Sequence, residues 1–396
     1  MQEQAVLPSG WRWESLGQLC RQDRIIIESG SQAAARRPYL GLEDIESTSG
    51  KILKKHSDVA IEEGISTTFA FGPDHVLFGK LRPYLNKVAL PDYEGRCTTE
   101  IIPLLPADGV DRRYLAWLLR RQETVAEAMR EKTGSRMPRA DIDELLKLIM
   151  PLPPLSEQSR IATVLNEQMP VIEKGRAAAE AQLEATKALP AAYLRQVFPR
   201  QGQELPSNWR WGKLAEICEF LDSQRIPVNE TDRIKRISGK SVSALYPYYG
   251  ANGQVGWIDD YLFDEPLILL AEDGGFFGSH ERPIAYMISG KTWVNNHAHV
   301  LRPKIGIDIE FLWLMLAIRP DVGKLVTGNT RPKLNQDIAA QIPVVILPLA
   351  EQKRIAAVLK EQLASAGRLQ NNIEKQLHEI NNLPPALLRK AFGGEL

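Results

Sequence analysis

Residues 154–168 read PLSEQSRIATVLNEQ, and residues 348–362 read PLAEQKRIAAVLKEQ. Self-similarity at a fixed spacing marks a duplicated structural unit, so this pair decides the architecture. Working outward at the same offset, LPAAYLRQVF (189–198) aligns with LPPALLRKAF (383–392), and Thr133-Gly134 and Pro138 align with Thr327-Gly328 and Pro332. Upstream, LPSGWRWESLGQLC (7–20) matches LPSNWRWGKLAEIC (205–218) at eight of fourteen positions, including Trp-Arg-Trp. Four collinear matches make the chain a tandem duplication.

The two quoted stretches open long helical segments, expected over 156–198 and 350–392. Ser156 reads as an N-cap, Glu157 suits the positive end of the helix dipole, and the prolines just upstream stop either helix from starting earlier. Leu363, Gln370 and Leu377 alternate with Ala366, Ile373 and Ile380 at heptad spacing; the first segment places Met169, Arg176 and Leu183 with Ile172, Ala179 and Thr186. That is a short coiled-coil seam, and two such helices in one chain can pack antiparallel. The stretches between them share little identity. They are rich in Gly, Pro and aromatics, with strand-like runs (VLFG, EIIPLL, PLILLAE, AHVLRP) and short helical patterns (RRYLAWLLRRQETVAEAM, EFLWLMLAIR). The fold class is α+β: two globular domains, two long antiparallel helices and an internal pseudo-twofold repeat. The expected boundaries are 1–155 and 201–349 for the globular domains, and 156–200 and 350–396 for the helical spacers.

The chain has 396 residues with 44% hydrophobic and 25% charged content and a formal net charge of +0, a charge that both halves share evenly. This excludes disordered and collagenous classes and argues against a strongly basic chain that coats nucleic acid unaided. No apolar run approaches the ~20 residues of a spanning helix, and MQEQAVLPSGW has no signal-peptide core, so a cytoplasmic chain without membrane contact is expected. Cys20, Cys97 and Cys218 form no C-x-x-C pair, which argues against a disulfide scaffold or a zinc knuckle.

Catalytic motifs fail one by one. Gly239-Lys240-Ser241 resembles the end of a P-loop, but Ile234 stands where the first glycine is required. Glu351-Gln352-Lys353, with Asp337 upstream, has the E-x-K half of a nuclease site, yet its repeat partner is Glu157-Gln158-Ser159 and both stand at helix starts. Asn382-Leu383-Pro384-Pro385 lacks the aromatic of the loop that amino-methyltransferases use for a flipped base, and no glycine-rich turn follows a strand. His297 and His299 are close-spaced without an evident third ligand. The chain is expected to catalyse nothing alone and to bind neither metal nor cofactor.

Recognition residues remain. Gly79 to Lys87 packs Lys80, Arg82, Tyr84 and Lys87 into nine residues, and Arg136 and Arg139 flank Met137-Pro138. In the second half Tyr248, Asn252, Asn295, Asn296 and His297 offer loop amides and aromatics, and Arg331 and Lys333 match the Arg136 turn by position. Arg, Asn and Gln can pair bidentately with base edges, while Lys, Tyr and Thr hold phosphates.

Taken together, P-L-[SA]-E-Q-x-R-I-A-x-V-L, LP-S-x-W-R-W, GKLRPYLNKVAL, CTTEIIPL, YYGANGQVGWIDDYLFDE, NNHAHVLRP and TGNTRPKLNQDI resemble the specificity subunits of type I restriction-modification systems. The resemblance covers nearly the whole chain. It implies two target-recognition domains that each read one half of a split, asymmetric site on double-stranded DNA. It also implies an antiparallel coiled coil that sets the spacing and docks two adenine-methylating modification subunits, with restriction subunits joining that core. The partners would then use methyl donor, ATP and magnesium. Ile161, Leu165, Met169, Ile172 and Leu183, with Ile355, Leu359, Leu363, Ile373 and Leu377, are the expected helix-packing positions. A stand-alone DNA-binding regulator and a recognition module for another methyltransferase or nuclease arrangement are the alternatives.

Overall fold

The computed structural model describes residues 7–28, 30–54, 67–130, 136–199, 202–328 and 332–396. Each repeat opens with the Trp-Arg-Trp strand, which pairs antiparallel with the strand just before the long helix. Arg12–Ser15 lies against Ile149–Leu152, with Trp13 opposite Pro151, and Arg210–Lys213 lies against Pro343–Ile346, with Trp211 opposite Val345. A single helical turn follows in both, Leu16–Leu19 and Leu214–Ile217. The Gln18 and Glu216 side chains accept from the backbone N–H three residues back, at Ser15 and Lys213, which satisfies donors that a helix start leaves open.

The first sheet is the same in both halves. Cys20–Gln22, Ile101–Pro106, Val76–Gly79 and Val88–Ala89 lie in that order, matched by Cys218–Phe220, Ala298–Pro303, Leu267–Ala271 and Ala285–Ile288. Its central strands are continuous apolar runs because both faces are covered, and Leu267 through Ala271 are fully buried. Helices Arg112–Leu119 and Ile309–Ala317, capped by Asp111 and Asp308, lay Tyr114, Leu115 and Leu118, or Phe311, Leu312 and Met315, into these cores. The second sheets differ. In the first half Thr67–Phe71 and Gly95–Thr98 are the antiparallel centre; in the second, Tyr246–Gly250 and Lys291–Val294 are a parallel centre.

The long helices run Leu155–Lys187 and Leu349–Gly393. Two details depart from expectation. Ser156 is inside the helix rather than capping it: the Pro154 carbonyl accepts from the N–H groups of Glu157 and Gln158, and the Pro348 carbonyl from those of Glu351 and Gln352. The first segment is also not one helix, because it breaks at Ala188 and resumes over Leu189–Val197. Pro190 has no N–H for the Thr186 carbonyl, so the ladder is interrupted there. In the second helix Pro384 and Pro385 lie within the continuous element.

By its contacts the chain divides into two units, Met1–Ala178 with Leu377–Leu396, and Ala179–Gln376. Each therefore holds a stretch of both long helices. In the first unit Arg160 donates to the Leu396 carbonyl at 2.8 Å. In the second, Lys187 lies within electrostatic reach of Glu374. As one helix advances its neighbour runs back, which is antiparallel pairing. Ala179, Thr186, Ala366 and Ile373 are buried, and the remaining heptad positions, Met169, Ile172, Arg176, Leu183, Leu363, Gln370, Leu377 and Ile380, are half-buried. Ile161 and Leu165 enter the first lobe's core instead of the seam, as Ile355 and Leu359 enter the second's. Among the described residues no helix is long and apolar enough to cross a membrane.

Candidate nucleic-acid interface

The loops that follow the buried central strands carry most of the candidate residues. In the first half the Arg82 N–H donates to the Pro138 carbonyl at 2.7 Å, the Ala140 N–H to the Lys80 carbonyl at 2.8 Å, and Leu81 bridges Arg139. In the second the Gly274 N–H donates to Pro332 at 3.3 Å, the Leu334 N–H to Glu272 at 2.7 Å, and Asp273 bridges Lys333. The Lys80 N–H meets the Glu100 carbonyl, and the Glu272 N–H meets the His297 carbonyl, both at 2.9 Å. One backbone frame therefore presents two side-chain sets. Lys80, Leu81, Arg82, Glu100 and Arg139 in the first half stand where Glu272, Asp273, Gly274, His297 and Lys333 stand in the second.

In the first set, Arg82 and Asn86 have φ of 51° and 49° and flank a short turn, Pro83–Leu85. Arg82, Tyr84 and Arg136 are exposed and Lys80 half-buried, and among the described residues their polar ends meet no protein partner. Two other candidates are engaged internally. The Lys87 ammonium donates to the Leu42 carbonyl at 2.7 Å. Arg139 grips Glu100 through Nε and Nη2 at 2.9–3.1 Å.

In the second set, Asn252 is exposed and ties its turn to the Gly274 carbonyl at 2.9 Å, and Asn296 is exposed. Tyr248 is buried, with its hydroxyl on the Val228 carbonyl and Arg233 over its ring. Asn295 is buried and accepts from the His297 N–H; His297 pairs with Asp273 at 2.8 Å. Lys333 pairs with Glu272 at 3.1 Å. Arg331 lies outside the described residues.

Beneath the second set is a charge network whose members are scattered along the sequence. Asp222, Glu272 and His299 bring ligand-type atoms within 4.8 Å of one another. Arg225 lies 3.3 Å from Asp222 and 2.7 Å from Glu272, and with Lys333 it supplies the positive charge the carboxylates require. His299 directs Nδ1 to Asp222 at 2.6 Å and Nε2 to the Leu334 carbonyl at 2.7 Å. His297 and His299 thus serve different partners. Burial pushes the Asp222 carboxyl up, but the bonds from His299 and the Val300 N–H, with the Arg225 charge, hold it below its ordinary value. This arrangement is an ion-pair platform under the Lys333–Leu334 turn.

At the two repeated helix starts, Glu157-Gln158 and Glu351-Gln352, the glutamines are buried locks. Gln158 Nε2 donates to the Gly109 and Pro153 carbonyls and Oε1 accepts from the Asp111 N–H. Gln352 does the same with Gly306, Leu347 and Asp308. The identity of both glutamines in the repeat was the available signal; the Asp222 network left none.

The sequence profile described as "Type I restriction modification DNA specificity domain" matches residues 8–178 and 206–379. The EcoDI specificity subunit of Escherichia coli is 22% identical over 331 residues, 72% of this chain and 70% of that one. A relative in Haemophilus influenzae is 32% identical over 153 residues, and the match spans 39% of this chain and 37% of that protein. A chain in a solved structure of a type I R-M system superposes with a TM-score of 0.73 at 22% identity, covering 99% of this chain and 100% of that one, which speaks to the fold. With one matched stretch in each repeat, together well over half of the chain, the chain belongs to the type I restriction-modification DNA specificity family, as a DNA-recognition subunit.

Proposed function

We propose that each lobe reads one half of a bipartite, asymmetric DNA site. On this reading the antiparallel helices set the spacing between the halves and dock two adenine-methylating modification subunits, and restriction subunits join that assembly. The observation that carries this reading is the shared loop frame with unlike side chains: Arg82 in one lobe and Gly274 in the other occupy the same backbone position. A single reader would need no second, chemically distinct copy. Arginine and amide groups on such loops suit base edges, and lysines suit phosphates. A near-neutral chain gains little non-specific affinity by itself, so partner subunits would supply much of the phosphate contact. Turnover is assigned to the partners, with methyl donor, ATP and magnesium used there.

The test is the methylated motif of cells that express this chain with its modification partner. A bipartite methyl-adenine motif is expected. Exchange of residues 201–349 for those of a relative should change one half of that motif and leave the other. Tight, specific binding by the isolated chain, with no methylation in any assembly, would favour the stand-alone regulator instead.

A further inference from the structure

Beneath the first lobe's candidate loop lies a buried cation that the duplicated frame does not require. Arg120 is 8% exposed, whereas the corresponding place after helix Ile309–Ala317 is apolar. No described carboxylate pairs with it. Its Nη2 donates to the Val88 carbonyl at 2.6 Å and its guanidinium lies over the Trp117 ring at 4.6 Å. Burial lowers its pKa to about 10. The site at the C-terminal end of Arg112–Leu119 suits a cation, because the last carbonyls of a helix present partial negative charge.

Both of its ends are tied to the loop. The Arg120 carbonyl accepts from Asn86 Nδ2 at 2.9 Å, and Val88, which holds the guanidinium, is two residues further on. Asn86 stands in the left-handed region and closes the turn by donating its N–H to Pro83. Such a conformation persists in a non-glycine residue only where its surroundings fix it. From the other side the Thr48 N–H donates to the Leu85 and Asn86 carbonyls. Gly50 comes so close that a Cβ would stand 1.7 Å from the Val88 oxygen and 2.3 Å from Arg120 Nη2. Arg120 is therefore clamped between the helix end and the base of the Arg82–Asn86 turn.

We propose that Arg120 is a positioning residue for DNA reading by the first lobe: it fixes the backbone from which Arg82 and Tyr84 project and does not itself touch DNA. This rests on the two-reader function above. The experiment uses the full chain with its modification partner and compares wild type, Arg120→Met, Arg120→Lys and Asn86→Ala. The readouts are the methylated motif and competition by duplexes altered in one half-site at a time. The half read by the first lobe is the one that survives exchange of residues 201–349. Arg120→Met is expected to lose at least tenfold discrimination in that half and none in the other, with methylation retained. Asn86→Ala should act in the same sense. Arg120→Lys should recover most of the discrimination, since an ammonium can still donate to Val88. Wild-type discrimination in a folded Arg120→Met complex, or equal loss in both halves, would overturn the assignment. If Arg120→Met does not accumulate folded, the half-buried Asn86→Ala decides by the same criteria. Absence of any bipartite motif in the wild type would count against the two-reader function, an outcome distinct from failure of Arg120 alone.

Discussion

Phe198 meets Phe311 edge-on, with ring centroids 5.5 Å apart and an interplanar angle of 61°, and Phe392 meets Tyr114 at the same 5.5 Å and 61°. The repeated LP-x-x-x-L-R-x-x-F tails explain the match. The tail of the first repeat closes the core of the lobe built by the second, and the tail of the second closes the core built by the first. Each lobe is thus completed by the tail of the other repeat: Phe198 stands just before the second lobe, and Phe392 returns from the far end of the chain to the first. Aromatic pairs of this kind add to the burial they accompany.

Removing either ring should therefore weaken the lobe encoded by the other repeat. Phe392 is almost fully buried and also lies under the Arg121 guanidinium at 5.0 Å, so Phe392→Ala should cost about 3–5 kcal/mol in the first unit. Phe198 is only half-buried, and its loss should cost about 1–1.5 kcal/mol in the second. Calorimetry with proteolysis of partly unfolded chain would show which unit opens. Opening of the lobe encoded by the same repeat as the mutated tail would contradict the exchange.

The two glutamine locks give a second prediction. Gln158→Ala leaves the Asp111 N–H and two carbonyls without the amide, and an unsatisfied buried donor costs about 1–3 kcal/mol. Gln352→Ala should cost a similar amount, and the double variant should be additive because the sites share no partner. Urea denaturation of the three variants measures this. A double-variant cost well below the sum would show that the locks are coupled.

How much of this was legible in the sequence follows from the range of each interaction. The heptad positions Ala179, Thr186, Ala366 and Ile373 are the buried ones, because a helix face is set by local spacing. Strands such as Val76–Gly79 and Ala298–Pro303 were visible as apolar runs. The engagement of Lys87 with Leu42, Tyr248 with Val228 and Lys333 with Glu272 was not, since each partner is 20 to 61 positions away and nothing in the spacing links them. The Ala188 break was signalled by Pro190, but Pro170 is accommodated within the first long helix and Pro384 and Pro385 within the second.

Asp111 supplies a pH dependence. Burial pushes its carboxyl up, but hydrogen bonds from Arg113 and Ser159 outweigh that and bring it from 3.8 down to about 2. A depressed pKa contributes stability that is present above the unfolded value and lost as pH falls through the folded one. The first unit should therefore lose stability between about pH 4 and pH 2. Asp111→Asn keeps an oxygen that can cap the helix but removes the charge, so its stability should fall less steeply across that window. Equal slopes for the two proteins would assign the acid sensitivity elsewhere.

The exposed arginines are predicted to behave differently from the engaged cations. Arg82→Ala or Arg136→Ala should cost about 1–3 kcal/mol and relax one base position if the side chain reads a base, or weaken all sequences alike if it holds a phosphate. Lys87→Ala should lower stability through the lost bond to Leu42. Binding by the partnered complex to single-position duplex variants separates these effects. Unchanged affinity and motif for Arg82→Ala and Arg136→Ala would remove both from the interface.

The helices as a spacer give the last prediction. Both cross the boundary between units, at Ala178 and at Gln376, so matched insertions at those two points preserve the antiparallel pairing. Four residues in each add about 6 Å at ~1.5 Å per residue. Duplex DNA rises ~3.4 Å per base pair, so the preferred gap between half-sites should lengthen by about one to two base pairs. The half-site sequences should stay the same, because no reading loop is altered. Four residues is close to one helical turn and keeps Ala179, Thr186, Ala366 and Ile373 facing the seam, whereas two residues rotate that face by about 200° and should abolish assembly. The readout is the methylated motif in cells that carry the lengthened chain with its modification partner. An active variant that methylates at the original spacing would show that the helices dock partners without setting the distance.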